Sequence, residues 1–237
     1  MELAEYARMD AAEDHMWWYR ALHRRLADAL TGVQGTVLDV GCGTGGLLAC
    51  LGRKRGDLYA VGVDRAEPAT RRTALKSGAA VVCASASRLP FANACFDGAI
   101  AADVLCHAAV DPAQALSDFW RVLRPGGRLI VNMPAYRWLF SAHDRQVHNV
   151  RRCTAGGLTA LLAEAGFVAI RASYWNGLLL PVMVAQRKLL ARHAVSSDVA
   201  PFPPWLDAMF HGITEIERRL PCPLPAGGSV LAIAERP

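Results

Sequence analysis

The residues best suited to ligand chemistry lie in one short segment. Residues 37–45 have the sequence VLDVGCGTG, an apolar run that carries an acid and continues into closely spaced glycines. Glycines here can take positive φ at little cost, leave room beside the main chain and direct N–H groups toward a ligand from the start of the next helix. The segment therefore predicts a nucleoside-binding site whose first residues are Asp39, Gly41, Cys42, Gly43 and Gly45.

The glycine spacing alone leaves two kinds of nucleoside ligand open. Gly41, Gly43 and Gly46 also satisfy the GxGxxG pattern of dinucleotide folds, and Asp64 follows at the usual distance for a ribose-binding acid. A carboxylate at Asp39 would repel a pyrophosphate, whereas it could help to hold the cationic amine of a methionine moiety through water. This charge argument favours S-adenosylmethionine.

Four ordered segments resemble the class I S-adenosylmethionine-dependent methyltransferases, from about residue 36 to the C-terminus. They are VLDVGCGTG, VGVD ending at Asp64, RLPFANACFDGAIAADVLCH at 88–107, and RVLRPGGRLIV at 121–131. The resemblance implies a methyl-transferring enzyme that releases S-adenosylhomocysteine. It also implies an α/β fold with a doubly wound, seven-stranded, Rossmann-like sheet whose last strand is antiparallel.

The resemblance extends the predicted cofactor site to the ends of further strands. The residues implied there are Asp64, Arg65, Ser85, Ala86, Ala102 and Asp103. The family often has an acid in the segment where this chain has Ser85, and such an acid would accept from the adenine amino group. Adenine recognition is therefore expected to depend on the Ser85 hydroxyl, the Ala86 N–H or neighbouring groups.

Candidate proton acceptors follow the fourth and fifth strands. Methyl transfer mainly requires an aligned nucleophile, so loss of the acceptor proton is the remaining task, and imidazoles titrate near neutral pH. The predicted catalytic residues are His107, His143, Asp144 and His148, with Asp144 and His148 sharing a site if their segment is helical. Capping, packing or solvated roles for these histidines stay open. No metal is expected, because HxH and HExxH spacings are absent.

Aromatic and basic residues predict the acceptor side. Trp17 and Tyr19, in the segment MWWYR, could exclude water from the cofactor pocket, with Tyr6 beside them, although plain packing is an equal alternative. The predicted acceptor-binding residues are Trp17, Tyr19, Tyr136, Arg152 and Trp175.

Hydrophobic periodicity places these residues on an alternating α/β chain. A leading helix is predicted at 10–31, and strands are predicted near 36–40, 58–63, 80–83, 97–103, 127–133, 167–175 and 229–237. Helices are predicted near 45–52, 67–77, 112–123 and 154–165. The predicted division is a helical cap at 1–35, a core at 36–175 with 229–237, and a helical insertion on the acceptor side at 176–228.

The insertion departs from the short hairpin expected in the family. It predicts two helical segments, roughly 177–193 and 205–219, separated by the turn PFPP. Its bulky apolar residues and basic stretch are typical of a lid over a hydrophobic acceptor or of a segment at a membrane interface. The lid is preferred, because Pro181 and the short apolar run weaken a membrane role.

Composition limits the partners. The chain has 237 residues, 53% of them hydrophobic, which suits one α/β domain with an insertion. The net charge of +5 is spread along the chain, so no nucleic-acid partner is expected. The seven cysteines show no CxxC pairing and predict reduced residues in a cytoplasmic protein. Neither a signal-peptide pattern nor a run near the ~20 residues of a membrane span is present, so no stable membrane insertion is expected.

Together these features predict methyl transfer to an O or N nucleophile of a small, partly hydrophobic acceptor of specialised metabolism. Methylation of a lipid or macromolecule at a membrane surface and a non-catalytic S-adenosylmethionine-binding role stay open. A nicotinamide-dependent oxidoreductase is a weaker alternative, because the LPF…FD block and the PGG turn count against it. The apolar insertion could also form a homodimer contact.

Overall fold

The computed structural model describes residues 3–186 and 202–237 and shows a seven-stranded sheet with helices on both faces. The spatial order of its strands is β3-β2-β1-β4-β5-β7-β6. The strands are β1 Gly35–Val40, β2 Leu58–Asp64, β3 Ala80–Cys83, β4 Phe96–Ala102, β5 Leu123–Pro134, β6 Val168–Trp175 and β7 Ser229–Glu235. Strands β1 to β5 pair in parallel, and β7 is antiparallel to both β5 and β6. The predicted fold class is confirmed.

Four helices lie where the sequence predicts them, near 45–52, 67–77, 112–123 and 154–165. The helices are α1 Leu3–Ala12, α2 Trp17–Ala29, α3 Gly46–Lys54, α4 Glu67–Ser77, α5 Pro112–Val122, α6 Ala142–Gln146, α7 Ala155–Glu164, α8 Leu180–Ala185 and α9 Pro204–Arg218. Helix α5 begins after Asp111, whose carboxylate accepts from the N–H groups of Ala113 and Gln114 at 3.0 and 3.3 Å. Pro112 occupies the first helical position, where its missing N–H costs nothing.

The single leading helix predicted at 10–31 is wrong, because the chain forms two helices there. Met16 takes an extended conformation with φ −68° and ψ 131° between α1 and α2. The Lys76 ammonium of α4 lies 2.6 Å from Glu13 and 2.9 Å from Asp14, and these ion pairs direct the connecting residues toward the sheet. Helix α1 consequently lies across the carboxyl ends of the strands.

The insertion is partly as predicted. The second predicted helix, 205–219, appears as α9, whereas the described part of the first, 177–193, contains only the short helix α8. The remainder of that predicted helix lies outside the described residues. Strand β5 also begins earlier than predicted, because Leu123 already pairs with Phe96 before a register shift.

Two hydrophobic clusters cover the two faces of the sheet. One packs α5 and α7 against β4, β5 and β7, and the other packs α2 and α3 against β1 and its neighbours. Buried strands of this kind carry little freedom, so the turns at their carboxyl ends are held in fixed positions. Those ends are where ligands bind in open α/β sheets.

Candidate active site

A cavity of about 690 Å³ opens at the carboxyl ends of β1, β2 and β4. Its floor is formed by the turns that follow these strands, and its cover is formed by α1, α2 and the insertion. The size is in the range of small-molecule sites, which run from about 300 to 1,000 Å³. The cavity therefore has room for a nucleoside and for part of a second ligand.

The glycine turn after β1 is closely packed. Gly41 has φ +74° and Gly43 φ +55°, and a Cβ at these positions would overlap the side chains of Val104 and Met9 respectively. Their N–H groups, however, are not free for a ligand: that of Gly41 donates to the Val63 carbonyl at 2.7 Å, and that of Gly43 donates to Asp64 Oδ2 at 3.1 Å. In this structure the turn keeps the cavity open and orients Asp64, and a ligand contact by N–H groups from the start of α3 stays a prediction.

Asp39 contributes a buried carboxylate that lacks a partner. Its side chain lines the cavity at 2% exposure, and Oδ2 has no hydrogen-bond partner among the described residues. Burial, with the nearby charges of Asp64 and Glu13, raises the pKa of Asp39 to about 8. A buried carboxylate of this kind is costly without a partner, so the site suits a ligand that brings a cation.

Asp64, at the end of β2, is bonded from three directions. Its Oδ1 accepts from the Tyr6 hydroxyl at 3.0 Å and from the Ala66 N–H at 2.9 Å, and its Oδ2 accepts from Gly43. Burial and Asp64 together raise the pKa of Tyr6, which keeps the hydroxyl proton in place. These three donors therefore hold the Asp64 carboxylate in one orientation at the wall of the cavity.

The cavity brings together most of the predicted cofactor residues. Those along its wall are Asp39, Gly41, Cys42, Gly43, Asp64, Arg65, Ser85, Ala86, Ala102 and Asp103. Gly45 is the exception, because it precedes α3 with φ +94° and packs against Thr73 rather than facing the cavity. Its contribution is to allow the close approach of α3 and α4.

The predicted catalytic residues also lie along the cavity, but two of them do not pair as predicted. His107, His143, Asp144 and His148 all line it, and burial lowers the pKa of His107. Asp144 is fully buried and binds the Arg152 guanidinium through both oxygens, at 3.0 and 2.9 Å. Helix α6 ends at Gln146, so the helical spacing that would join Asp144 to His148 is absent.

The acceptor residues divide into two groups. Trp17 and Tyr19 line the cavity, and so does Arg152, although its guanidinium binds Asp144 and the Ala135 carbonyl. Tyr136 does not line it, because its ring stacks on Tyr174 with centroids 5.1 Å apart.

Trp175 is a packing residue rather than a wall of the cavity. It is 3% exposed and stacks on Trp18 with ring centroids 6.1 Å apart, while the Arg25 guanidinium lies 4.7 Å from its ring. Its indole N–H donates to Asn132 Oδ1 at 2.8 Å. Tyr136 and Trp175 therefore lie away from the cavity, and an acceptor role for either stays a prediction.

Sequence reasoning missed two polar groups of the wall. Glu13 accepts from the Thr44 hydroxyl and from Lys76, each at 2.6 Å, and so ties the α1–α2 connection to the glycine turn. Asn176 is completely buried at φ +59°, and neither polar atom of its side chain has a hydrogen-bond partner among the described residues. The Asn-Gly pair at 176–177 could have suggested a left-handed position there, because asparagine is enriched at positive φ.

The described part of the insertion covers the cavity with apolar side chains. They are Leu179, Val182, Met183, Phe202 and Phe210. Phe210 packs edge-on against Trp17 with ring centroids 5.6 Å apart, which joins α9 to α2. This arrangement agrees with the preferred lid interpretation.

Comparison with known proteins identifies the family. Residues 38–131 match a family model described as a methyltransferase domain. The chain is 28% identical over 174 residues to 24-methylenesterol C-methyltransferase 2 of Oryza sativa subsp. japonica, covering 64% of this chain and 47% of that protein. It is 34% identical over 162 residues to an O-methyltransferase of Penicillium expansum, covering 63% of this chain and 58% of that protein.

The fold comparison agrees. The structure matches that of an S-adenosylmethionine-dependent methyltransferase of Thermotoga maritima with a TM-score of 0.63 and 18% identity, covering 99% of this chain and 96% of that one. The predicted resemblance to the class I S-adenosylmethionine-dependent methyltransferases is confirmed, by the family model over residues 38–131 and by the fold. The chain spans 47%, 38% and 52% of the length of three of the curated relatives that it matches, so its activity, acceptor and partners are subjects for proposal.

Membrane-spanning and metal-binding features are both lacking in residues 3–186 and 202–237. None of the helices in these ranges combines the length and apolar character that crossing a membrane requires. These ranges also contain no cluster of three or more His, Cys, Asp or Glu residues arranged to hold a metal ion.

Proposed function

We propose that this protein transfers a methyl group from S-adenosylmethionine to an O or N nucleophile of a small, partly hydrophobic acceptor. The observation that carries the proposal is the pair of carboxylates, Asp39 and Asp64, that faces one cavity from the ends of β1 and β2. S-adenosylmethionine has a cationic amine that would meet Asp39 and a ribose diol that would meet Asp64. When bound, it supplies a methyl group already activated by the sulfonium.

The residues present fit this ligand. The orphaned Oδ2 of Asp39 would accept from the amine, and the fixed Asp64 carboxylate would accept from the ribose hydroxyls. Ser85 and Ala86 line the cavity beyond β3, where they would meet the adenine. The cradle around Gly41 would be filled by any Cβ, which explains the small residue there.

The remaining walls of the cavity would bind the acceptor and exclude water from it. Trp17 and Tyr19 exclude water from one side, and the apolar residues of the insertion exclude it from the other. His107, His143 and His148 remain the proposed proton acceptors along the wall. Asp144 is a positioning residue in this proposal, because it holds Arg152 and caps α6 through Ser141.

The proposal extends to the biological setting of the reaction and to the division of the chain. We place the activity in small-molecule biosynthesis in the cytoplasm, with residues 1–35 as a cap, 36–175 and 229–237 as the cofactor core, and 176–228 as the acceptor-side insertion. We also propose that the reaction needs no metal ion. We propose further that two copies of the chain form a homodimer through the insertion.

Calorimetry tests the proposal. S-adenosylmethionine and S-adenosylhomocysteine are expected to bind and NADH is not, and a ligand at a hundred times its dissociation constant raises the free energy of unfolding by roughly 2.7 kcal/mol. Asp64→Asn should weaken both ligands by about 10- to 100-fold, because it removes charge-assisted hydrogen bonds worth about 1.5–3 kcal/mol. The control is Asp57→Asn, an exposed carboxylate paired with Arg55 at 2.7 Å, which should bind like wild type.

A labelled-methyl screen over phenols, carboxylates, amines and lipids would then identify the acceptor class. Binding of neither the methyl donor nor its thioether product would refute the proposed function. Binding without turnover on any acceptor would favour the non-catalytic role.

A further inference from the structure

Besides Asp39 and Asp64, the carboxylate of Asp103 faces the cavity from the end of β4. One oxygen of Asp103 accepts from Asn132 Nδ2 at 3.0 Å, and Asn132 Oδ1 accepts in turn from the Trp175 indole at 2.8 Å. Asp103 has φ +55° and presents part of its surface to the cavity. The Asn132 amide, which the indole holds in turn, therefore orients one oxygen of a carboxylate that lines the cavity.

No cation neutralises this carboxylate within the described residues. Arg152 lies within electrostatic range of Asp103, but its guanidinium donates to Asp144 and to the Ala135 carbonyl. Burial raises the pKa of Asp103 to about 7, so near neutral pH the group is poised between its two forms. An uncompensated carboxylate at this depth is costly, and a ligand cation would relieve that cost.

Asp103 and Asp39 lie at the ends of the neighbouring strands β4 and β1 but have different surroundings. Asp39 lies two residues before Gly41 of the glycine turn, whereas Asp103 is bonded by Asn132 of β5. In the proposed function the amine of the methyl donor meets Asp39. The carboxylate of Asp103 is then left for the acceptor.

The buried Asn176 side chain is a second group without a partner. Its oxygen and nitrogen both lack hydrogen-bond partners among the described residues, although the side chain is completely buried and lines the cavity. Buried amides are normally bonded, so this one indicates a polar group on a ligand. Leu179, Met183 and Phe210 form the apolar wall supplied by the insertion.

We propose that the acceptor is a cationic amine with an apolar body, whose nitrogen binds Asp103 and whose body carries a polar substituent that meets Asn176. This inference rests on the proposed function. The names of the two relatives above divide between C- and O-methyltransferases and therefore do not choose the acceptor atom. A hydroxyl would donate a neutral hydrogen bond to Asp103, whereas an ammonium would donate a hydrogen bond and also neutralise the carboxylate charge.

The chemistry balances at this carboxylate. The ammonium gives one proton to the ionised Asp103 carboxylate, which frees the nitrogen lone pair. That lone pair forms the new C–N bond as the methyl C–S bond breaks, and the electrons of the broken bond stay on sulfur as the neutral thioether. The positive charge passes to the methylated nitrogen, so no further reactant is required.

Matched ligand pairs test the inference on the full chain. The probes carry a polar group at the far end of the body and are tyramine with tyrosol, tryptamine with tryptophol, and 8-amino-1-octanol with 1,8-octanediol, titrated calorimetrically at pH 8 with saturating S-adenosylhomocysteine. We expect at least one amine to bind about 10-fold or more tighter than its alcohol, the size of one charge-assisted hydrogen bond. Asp103→Asn should reduce that preference to about threefold or less and leave S-adenosylhomocysteine affinity unchanged. Asp57→Asn should retain the preference.

The outcomes separate the two proposals. Equal binding of amine and alcohol in all three pairs, or a preference that survives Asp103→Asn, overturns the amine assignment alone. Loss of S-adenosylhomocysteine binding in Asp103→Asn also overturns it, because Asp103 would then belong to the cofactor site that the sequence predicts. Failure of the wild-type protein to bind S-adenosylhomocysteine overturns the proposed function itself.

Discussion

The two walls of the cavity are built in different ways. The cofactor wall consists of strand ends and tight turns, in which main-chain hydrogen bonds such as Gly41 to Val63 fix the geometry. The covering wall consists of helices joined through side chains: the Asp207 carboxylate accepts from the main-chain N–H of Trp17 at 2.7 Å, and the Arg25 guanidinium donates to the Thr214 carbonyl at 2.9 Å. The first wall tolerates side-chain change except at its glycines and acids, whereas the second depends on a few polar contacts.

The largest expected loss of stability comes from removing a carboxylate that holds the covering wall together. The Glu217 carboxylate accepts from the N–H groups of Asn176, Gly177 and Leu178 at 2.5, 2.7 and 3.0 Å, and it lies 3.4 Å from Arg25. Glu217→Ala would leave these buried donors without an acceptor, so we expect a loss of about 3–5 kcal/mol in the free energy of unfolding. Urea denaturation measures it.

Two further variants sharpen that result. Glu217→Gln keeps one acceptor oxygen and should lose roughly half as much. Glu215→Ala, which breaks pairs with the more exposed Arg24 and Arg218, should cost at most about 1 kcal/mol. Equal losses for Glu217→Ala and Glu215→Ala would show that the α9 contact does not hold the covering wall.

The same difference explains what the sequence could predict. VLDVGCGTG carries its own structural signals, since glycine and strand periodicity act within a few residues, and the parallel pairing of the strands follows from the alternation of elements. Asp39 and Asp64 could therefore be placed at one edge of the sheet from the sequence alone. The left-handed backbone conformations of Gly41 and Gly43 could also be predicted from the sequence.

The covering wall could not be predicted in the same way, because its contacts join distant residues. Glu217 meets Asn176, and Tyr6 meets Asp64, across separations of 41 and 58 residues. The helix also stops before Met16 without a proline or glycine in the sequence there. The contact that accompanies this stop is distant, because Lys76 binds Glu13 and its neighbours. Tertiary contacts of this kind override helical periodicity.

A second prediction concerns the cofactor wall. Burial raises the pKa of Asp39 to about 8, so the folded protein keeps that proton up to higher pH than the unfolded chain does. Stability is therefore lost as pH rises from about 4 to 8, since the folded state binds more protons in that range. Asp39→Asn removes the penalty and should raise the free energy of unfolding at pH 8 by about 2 kcal/mol, with a much smaller gain at pH 4.

Denaturation at both pH values measures this gain, while calorimetry should show weaker S-adenosylmethionine binding in the same variant. Asp57→Asn is again the control, because Arg55 lowers the pKa of that exposed carboxylate and no gain at pH 8 is expected. A loss of stability at pH 8 in Asp39→Asn would mean that Asp39 is satisfied in the free protein.

The smallest expected effect lies where the two walls meet. Tyr6 and Ala66 together occupy both acceptor positions of Asp64 Oδ1, and Gly43 occupies one of those on Oδ2. Two ribose hydroxyls require an acceptor position on each oxygen, so the Tyr6 hydroxyl must leave when they bind. Tyr6→Phe removes this competitor and should tighten S-adenosylhomocysteine binding about fivefold, equivalent to about 1 kcal/mol, while the free protein loses a similar amount of stability. Calorimetry with Tyr59→Phe, whose side chain is 62% exposed, as the control measures the change. Weaker binding in Tyr6→Phe would show that the hydroxyl contacts the ligand, and α1 would then be part of the cofactor wall rather than a cover that yields to it.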